Sequence, residues 1–242
     1  MSGAPTRITV SKVAKPHPTW FAFCRWFVRI FFYRLGGGFR SVGRENIPDT
    51  GPVLFAPIHL SHTDPPAIAC GCSRRLRFMS KAEMFDRKFL GWLIGSLGAF
   101  RVNRGEGDTE AIRTAIELLN SGEAILIFPE GTRGDGKVLQ PISRGVSVLA
   151  KKTNAQVIPV GLIGTLERLP KGSSRLRRSV VTVVYGKPFT YAEVCHDDNE
   201  KVNRATFSRV LAQRIVELCN AHGLMVKSGE TDSDPEAGSL PG

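Results

Sequence analysis

Residues 108–133 read DTEAIRTAIELLNSGEAILIFPEGTR and place a helix, an apolar strand and a polar loop in direct succession. The helix is predicted over 108–119, where apolar residues recur at a spacing of three to four: Ala111, Ile112, Ala115, Ile116 and Leu119. Asp108 suits its N-cap, and Ser121 with Gly122 ends it. The run AILIF over 124–128 is wholly apolar, which is typical of a strand buried inside a sheet. This unit favours an α/β fold.

The same alternation continues on both sides of this unit. Short apolar strands are predicted at 53–57, 76–80, 156–160 and 180–185, and helices at 143–151 and 203–221. We therefore expect a single α/β domain with a mostly parallel or mixed sheet covered by helices. Chemistry in such sheets lies beyond the carboxyl ends of the strands, so the loops after residues 57, 80 and 128 are the places to search.

Composition and charge narrow the class of protein. The 242 residues are 42% hydrophobic and 23% charged, which excludes wholesale disorder, collagen and coiled coil. Five cysteines are too few, and odd in number, for a disulfide scaffold, and no second pair accompanies Cys70 and Cys72 at zinc spacing, so we expect no metal. The net charge of +11 indicates an anionic partner: nucleic acid, an anionic membrane surface or a phosphorylated substrate.

The N-terminal segment has its own character. Residues 19–35 read TWFAFCRWFVRIFFYRL, and Arg25, Arg29 and Arg34 interrupt this aromatic run. It is too short and too charged to span a bilayer comfortably, and arginines inside its apolar part argue against a cleaved signal peptide. We expect an amphipathic helix lying at the headgroup boundary, the alternative being a helix packed on the protein's own core. The glycine-rich stretch 36–40 is predicted to be a turn.

Three regions follow from these patterns. Residues 1–41 are predicted to associate with a membrane, 42–226 to form the α/β domain, and 227–242 to be an acidic disordered tail. The expected location is the cytoplasmic face of the cell membrane, as a peripheral or monotopic protein.

The loop after the strand at 53–57 reads IHLSHTDPP. A carboxylate beside an imidazole can hold its tautomer and stabilise the imidazolium, so either His59 or His62 could serve as a general base. Ser61 could instead be a nucleophile with a histidine base. Ser61 and Asp64 also match a capping box ahead of two prolines, and Asp64 would then be only the start of a helix.

The loop after the strand at 124–128 reads PEGTRGDGKV. Its glycines and Lys137 match the first part of a phosphate-binding P-loop, but Val138 stands where a serine or threonine must ligate magnesium. We therefore expect a tight turn rather than a nucleotide site. Glu130 and Arg133 are the charged pair offered at the carboxyl edge of the sheet, and arginine there suits a phosphate.

These blocks, in this order, resemble the PlsC-type glycerolipid acyltransferases, the family of 1-acylglycerol-3-phosphate acyltransferases. The family's His-x4-Asp reads His59 to Asp64 here, and its F-P-E-G-T-R block is intact from Phe128 to Arg133. Its G-x-F-x-V-x-R stretch runs from Gly98 to Arg104, preceded by KAEMF from Lys81, and its V-x-P-V-G strand runs from Val157. The similarity covers roughly residues 42–190, and one departure is Ile58, where the family often has asparagine.

The resemblance implies acyl transfer from a thioester donor, acyl-CoA or acyl carrier protein, to the free hydroxyl of lysophosphatidate, giving phosphatidate. It implies that His59 is the general base, that Asp64 orients it, and that no covalent intermediate, metal or other cofactor is needed. Acceptor binding falls to these residues: Arg104, Glu130, Gly131, Thr132 and Arg133. Lys81, which follows a predicted strand, is a further candidate for contact with phosphate.

Other functions stay open on the sequence. The same chemistry could act on glycerol 3-phosphate, another lysophospholipid or an acylated amino acid. A non-catalytic module that binds membranes or nucleic acid would leave the His59 loop without a role, so we expect no nucleic-acid partner. A thioester hydrolase is disfavoured because the G-x-S-x-G elbow is missing from the sequence.

Overall fold

A seven-stranded mixed β-sheet organises the computed structural model, which describes residues 15–102 and 109–229. The described strands are β1 (Phe39–Val42), β2 (Val53–Pro57), β3 (Leu76–Lys81), β4 (Ala99–Val102), β5 (Ala124–Leu126), β6 (Val138–Leu139), β7 (Gln156–Ile163), β8 (Val181–Tyr185) and β9 (Lys227–Ser228). The order across the sheet is β1-β8-β7-β2-β5-β3-β4, while β6 and β9 pair separately. The expected mixed α/β architecture is confirmed.

The central strands share one direction. β7, β2, β5, β3 and β4 are parallel to one another, whereas β8 is antiparallel to β7 and parallel to β1. Phe55 of β2 pairs with Leu126 of β5 on one side and with Ile158 of β7 on the other. The loops that follow β2 and β5 therefore emerge side by side at the same edge of the sheet.

Helices form two groups around this sheet. The described helices are α1 (Pro18–Phe27), α2 (Asp64–Gly71), α3 (Ala82–Asp86), α4 (Lys88–Ser96), α5 (Thr109–Asn120), α6 (Arg144–Thr153), α7 (Thr165–Arg168) and α8 (Glu200–Ala221). α5, α6 and α8 pack on one another and against β5 and β7, whereas α2 packs against α1 and β8. Every residue of β2 is buried, because helices cover both faces of the central strands.

The N-terminal aromatic segment is helical, as both interpretations of its sequence expect. α1 continues into a π-helical segment over Val28–Arg34, and both contact α2. Among the described residues, no helix combines the length and the apolar character needed to cross a bilayer.

Two regions differ from the sequence expectation. Phe39 and Arg40, expected in a turn, begin β1 at the edge of the sheet, so β1 straddles the predicted boundary at residue 41. The glycines before it make the turn, and Gly37 and Gly38 have φ near +130°, which favours glycine. Lys227 and Ser228, expected in the tail, form β9 against β6, while residues 230–242 lie outside the described part of the chain.

Candidate active site

The loop that connects β2 to α2 carries the first of the two motifs, the His-x4-Asp sequence from His59 to Asp64. The backbone of Ile58 extends the pairing beyond β2, because its N–H donates to the carbonyl of Val160 at 3.1 Å. The carbonyl of His59 accepts from the N–H of Gly134, in the loop after β5, at 2.8 Å. The two loops at this edge of the sheet are thus bonded directly to each other.

The Asp64 carboxylate organises the loop through a single oxygen. Oδ2 accepts from His59 Nδ1 at 2.9 Å and from the backbone N–H groups of Leu60 and Ser61 at 2.7 Å each. Because a carboxylate can only accept, the His59 proton must sit on Nδ1, which leaves Nε2 as the ring nitrogen with a free lone pair. Asp64 is fully buried and the His59 side chain is 15% exposed, so the ring is the member of the pair that a substrate can reach.

The predicted capping box is present only in part. Asp64 is the first residue of α2, after the N-cap Thr63, and its carboxylate accepts from the N–H of Ser61 as in a capping box. The other half differs, because the Ser61 hydroxyl accepts from the N–H of Thr63 at 3.3 Å, while the N–H of Asp64 donates to the backbone carbonyl of Ser61. One carboxylate therefore ends the loop, begins the helix and holds the imidazole.

The hydroxyl of Ser61 makes structural hydrogen bonds inside the protein. Its side chain is fully buried, and Oγ donates to the carbonyl of Leu169 at 2.9 Å while accepting from Thr63 Oγ1 at 3.1 Å. A hydroxyl with its proton committed to a backbone carbonyl and no access to solvent is unsuited to nucleophilic attack.

The second motif packs on the first through Phe128. The ring of Phe128 stacks on the imidazole of His59, with centroids 3.7 Å apart and planes 24° apart. The sequence offers Phe128 no role beyond the core, and its contact with a residue so distant in the chain could not be found from periodicity. The stack restricts the imidazole to one plane, which complements the single hydrogen bond that Asp64 makes to it.

Glu130 joins the two loops with both oxygens of its carboxylate. Oε1 accepts from the backbone N–H of His59 at 2.7 Å, and Oε2 accepts from the N–H of Gln140 at 3.0 Å. Burial raises the pKa of Glu130 from 4.5 to about 7, although the N–H groups of Gln140 and His59 favour the ionised form. The structure thus uses both carboxylate oxygens on the protein's own backbone.

Replacing Glu130 by glutamine is expected to change how stability depends on pH. A carboxyl group whose pKa rises from 4.5 in the unfolded chain to about 7 on folding costs the folded state stability as pH rises through that interval. The difference in unfolding free energy, wild type minus Glu130→Gln, should therefore fall by up to about 3 kcal/mol between about pH 4.5 and pH 8. Urea unfolding at both pH values measures it, and a difference that stays constant would contradict the raised pKa.

The structure describes some of the other predicted binding residues in full, one by its backbone alone and one not at all. Gly131 and Thr132 are exposed and Arg133 is half-buried on the loop after β5, where the carbonyl of Arg133 accepts from Lys171 Nζ at 3.0 Å. Of Lys81 the structure describes the backbone, as the last residue of β3, but not the side chain. Arg104 lies outside the described residues.

Comparison with known proteins now adds to this geometry. A family model described as Acyltransferase matches residues 38–163, just over half of the chain and inclusive of both loops. Fold, site and match together define an enzyme that transfers acyl groups. The chain belongs to this acyltransferase family, and within it to the PlsC type.

Individual relatives agree with that placement. The chain is 28% identical over 201 residues to the 1-acyl-sn-glycerol-3-phosphate acyltransferase of Bacillus subtilis, covering 83% of this chain and 97% of that protein. It is 35% identical over 112 residues to the lyso-ornithine lipid O-acyltransferase of Pseudomonas aeruginosa, covering 46% of this chain and 43% of that protein. The crystal structure of PlsC from Thermotoga maritima matches with a TM-score of 0.66 and 26% identity, over 82% of this chain and 80% of that one.

Proposed function

We propose that this acyltransferase moves a fatty acyl group from a thioester, acyl-CoA or acyl carrier protein, to the free hydroxyl of lysophosphatidate, giving phosphatidate. The relative from Bacillus subtilis, named for this acceptor class, supports the choice. The observation that carries the mechanism is the bond from His59 Nδ1 to Asp64, which leaves Nε2 unprotonated on a partly exposed ring.

The reaction then needs no covalent enzyme intermediate. His59 Nε2 takes the proton of the acceptor hydroxyl while the hydroxyl oxygen forms a bond to the thioester carbonyl carbon. The tetrahedral intermediate collapses with cleavage of the carbon–sulfur bond, and the imidazolium returns its proton to the leaving thiolate. Buried Asp64 stabilises the transient imidazolium without taking the proton itself.

The acceptor phosphate calls for positive charge beside this pair. Arg133, on the loop bonded to the His59 loop, is our leading ligand for it, with Arg104 and Lys81 as further candidates. We assign Glu130 to positioning instead, since both of its oxygens accept from backbone N–H groups.

The test compares acceptors under one donor. We expect thiol release from palmitoyl-CoA to depend on lysophosphatidate, and Arg133→Ala to raise KM for lysophosphatidate about tenfold or more, the size of one charge-assisted hydrogen bond. The same variant should leave KM for monoacylglycerol, which lacks phosphate, nearly unchanged. Lysophosphatidate-independent release, or silence with both acyl-CoA and acyl carrier protein, would count against the proposal.

The lyso-ornithine relative supports a second candidate acceptor. The P. aeruginosa protein is named for an acylated amino acid rather than a phosphate, and it is 35% identical over the aligned 112 residues. Turnover of lyso-ornithine lipid that exceeds turnover of lysophosphatidate would favour this acceptor, with His59 and Asp64 unchanged in role.

We further propose that the enzyme works on a membrane surface that it contacts through α1, the π-helical segment and α4. Large apolar side chains are exposed together there, each about half or more: Phe23, Trp26, Phe27, Phe31, Leu35, Phe89 and Trp92. Trp20 of α1 joins the two helices, since its ring centroid lies 6.0 Å from that of Trp92 and its Nε1 donates to Ser96 Oγ at 3.0 Å. Aromatic rings with neighbouring arginines suit the headgroup boundary of a bilayer.

Replacing Trp26 and Phe31 by serine should weaken binding to anionic vesicles at least about tenfold, because each ring contributes on the order of 1 kcal/mol or more of apolar transfer. Co-sedimentation with vesicles measures it. Met225→Ser is the matched control, since Met225 is 75% exposed but lies after α8. Equal losses in both proteins would exclude a specific membrane face.

A further inference from the structure

The π-helical segment that precedes the sheet is bonded directly to the loop that holds His59 and Asp64. Tyr33, in this segment, is fully buried, and its hydroxyl donates to the carbonyl of Thr63 at 2.7 Å. Thr63 immediately precedes Asp64, and its carbonyl also accepts the helical N–H of Ala67 at 3.1 Å. The Tyr33 hydroxyl therefore adds a second hydrogen bond to the carbonyl of Thr63, the N-cap of α2 and the residue next to Asp64.

The Tyr33 hydroxyl is a permanent donor. Burial, followed by the neighbouring Cys70 and Asp64, raises the pKa of Tyr33 well above its ordinary value, while Arg168 acts in the opposite direction. The phenol thus stays protonated across the working range of pH, and the bond to Thr63 persists.

Arg168, at the end of α7, fastens the same π-helical segment from another side. Its guanidinium lies 4.9 Å from the ring centroid of Phe32 and 5.8 Å from that of Tyr33, and it donates to the carbonyl of Gly36. A Cβ at position 36 would meet the guanidinium, so a side chain there would displace Arg168. Arg168 is only 3% exposed, and no carboxylate among the described residues forms an ion pair with it.

The residue after Arg168 completes a triangle of contacts. The carbonyl of Leu169 accepts from Ser61 Oγ, in the His59 loop, at 2.9 Å. The π-helical segment contacts the loop through Tyr33, the loop contacts α7 through Ser61, and α7 contacts the π-helical segment through Arg168. Burying an arginine without a carboxylate partner costs solvation free energy. The contacts of Arg168 with Gly36, Phe32 and Tyr33 offset part of that cost and fix the guanidinium in place.

We propose that Tyr33 and Arg168 are positioning residues for the His59–Asp64 pair. They hold the loop in the conformation in which Oδ2 of Asp64 accepts at once from His59 Nδ1 and from the N–H groups of Leu60 and Ser61. Displacement of catalytic groups by about 1 Å can cost on the order of a hundredfold in rate, so small shifts of this loop matter. The inference rests on the proposed roles of His59 and Asp64.

The chain offers a matched control for Tyr33. Tyr185 is 1% exposed and its hydroxyl donates to the carbonyl of Ile68, in the same helix α2, at 2.7 Å. That carbonyl also keeps a helical bond, from the N–H of Cys72 at 2.9 Å. Tyr33→Phe and Tyr185→Phe therefore each remove one buried hydroxyl and one of two bonds to a backbone carbonyl, that of the N-cap Thr63 in the first case and that of Ile68 inside α2 in the second.

We expect Tyr33→Phe to lower kcat about tenfold with KM for donor and acceptor unchanged, and Tyr185→Phe to stay within about twofold of wild type. Both assays are run well below the unfolding midpoint of either variant. The second readout is hydrogen exchange at the amides of Leu60 and Ser61, which should be about tenfold faster in Tyr33→Phe than in Tyr185→Phe.

Arg168→Lys provides an independent variant, since lysine keeps the charge but loses the planar fork and its stacking on Phe32 and Tyr33. Arg168→Lys should lower kcat by a similar factor. Arg77→Lys should not, because Arg77 is a buried arginine at the start of β3, whereas the His59 loop lies at the carboxyl edge of the sheet. Positioning requires both slower turnover and faster exchange in Tyr33→Phe; either change without the other overturns it. If wild type acylates another acceptor in place of lysophosphatidate, the function proposal fails, and both readouts of positioning are taken with that acceptor.

Discussion

Replacing His59 by alanine is expected to lower kcat by about 10³-fold, within the range that removal of a general base produces. Without Nε2, the acceptor hydroxyl has no group to take its proton as the oxygen attacks the thioester. In the described part of the chain the imidazole bonds to Asp64 and stacks on Phe128, so its removal should leave the fold and vesicle binding intact. Thiol release under saturating donor and acceptor measures the loss.

His196→Ala is the control for His59. His196 is exposed, and its ring bonds to the nearby carbonyl of Glu193 at 3.2 Å. Its removal should leave kcat within about twofold of wild type, the range of a surface substitution. A His59→Ala protein that folds and retains more than a tenth of wild-type kcat would disprove the assignment of His59 as the base.

Replacing Asp64 by asparagine is expected to lower kcat by 10²- to 10⁴-fold while leaving most of the stability in place, about the loss seen when a triad aspartate loses its charge. The amide oxygen can still accept from Leu60 and Ser61, so the loop and the start of α2 persist. What is lost is the negative charge that holds the proton on His59 Nδ1 and balances the imidazolium.

Asp64→Ala separates the two duties of the carboxylate. It removes the acceptor for both backbone N–H groups as well as for His59, and we expect an additional loss of about 2 kcal/mol or more in unfolding free energy. Urea unfolding distinguishes the variants. If asparagine and alanine destabilise the protein equally, the carboxylate oxygen is not the organising acceptor of the loop; if asparagine retains full turnover, the charge is not needed.

Both predictions follow from residues that are visible in the sequence. His59 and Asp64 are five positions apart, so their pairing is a local matter of one loop, and the apolar strand before it places that loop at the carboxyl edge of a sheet. The strands predicted at 53–57 and 76–80 and the helix predicted at 108–119 likewise agree with the structure to within a residue or two at each end.

Two of the strands that the sequence did not reveal lie at the edges of the main sheet. β1 and β4 are its first and last strands, and each is four residues long. An edge strand has a partner on one side only, so it tolerates exposed residues such as Arg40 and Arg101 and lacks the continuous apolar run of a central strand.

The sequence by itself determined the α/β class, the place of the His59–Asp64 loop and the family, because strand and helix periodicity and a six-residue motif are properties of neighbouring residues. Only the tertiary structure decided what surrounds that loop. Glu130 reaches the N–H of His59 across 71 positions, Tyr33 reaches Thr63 across 30, and Ser61 reaches Leu169 across 108. These partners meet because the sheet order sets strands side by side that are distant in the chain, and no local pattern encodes that order.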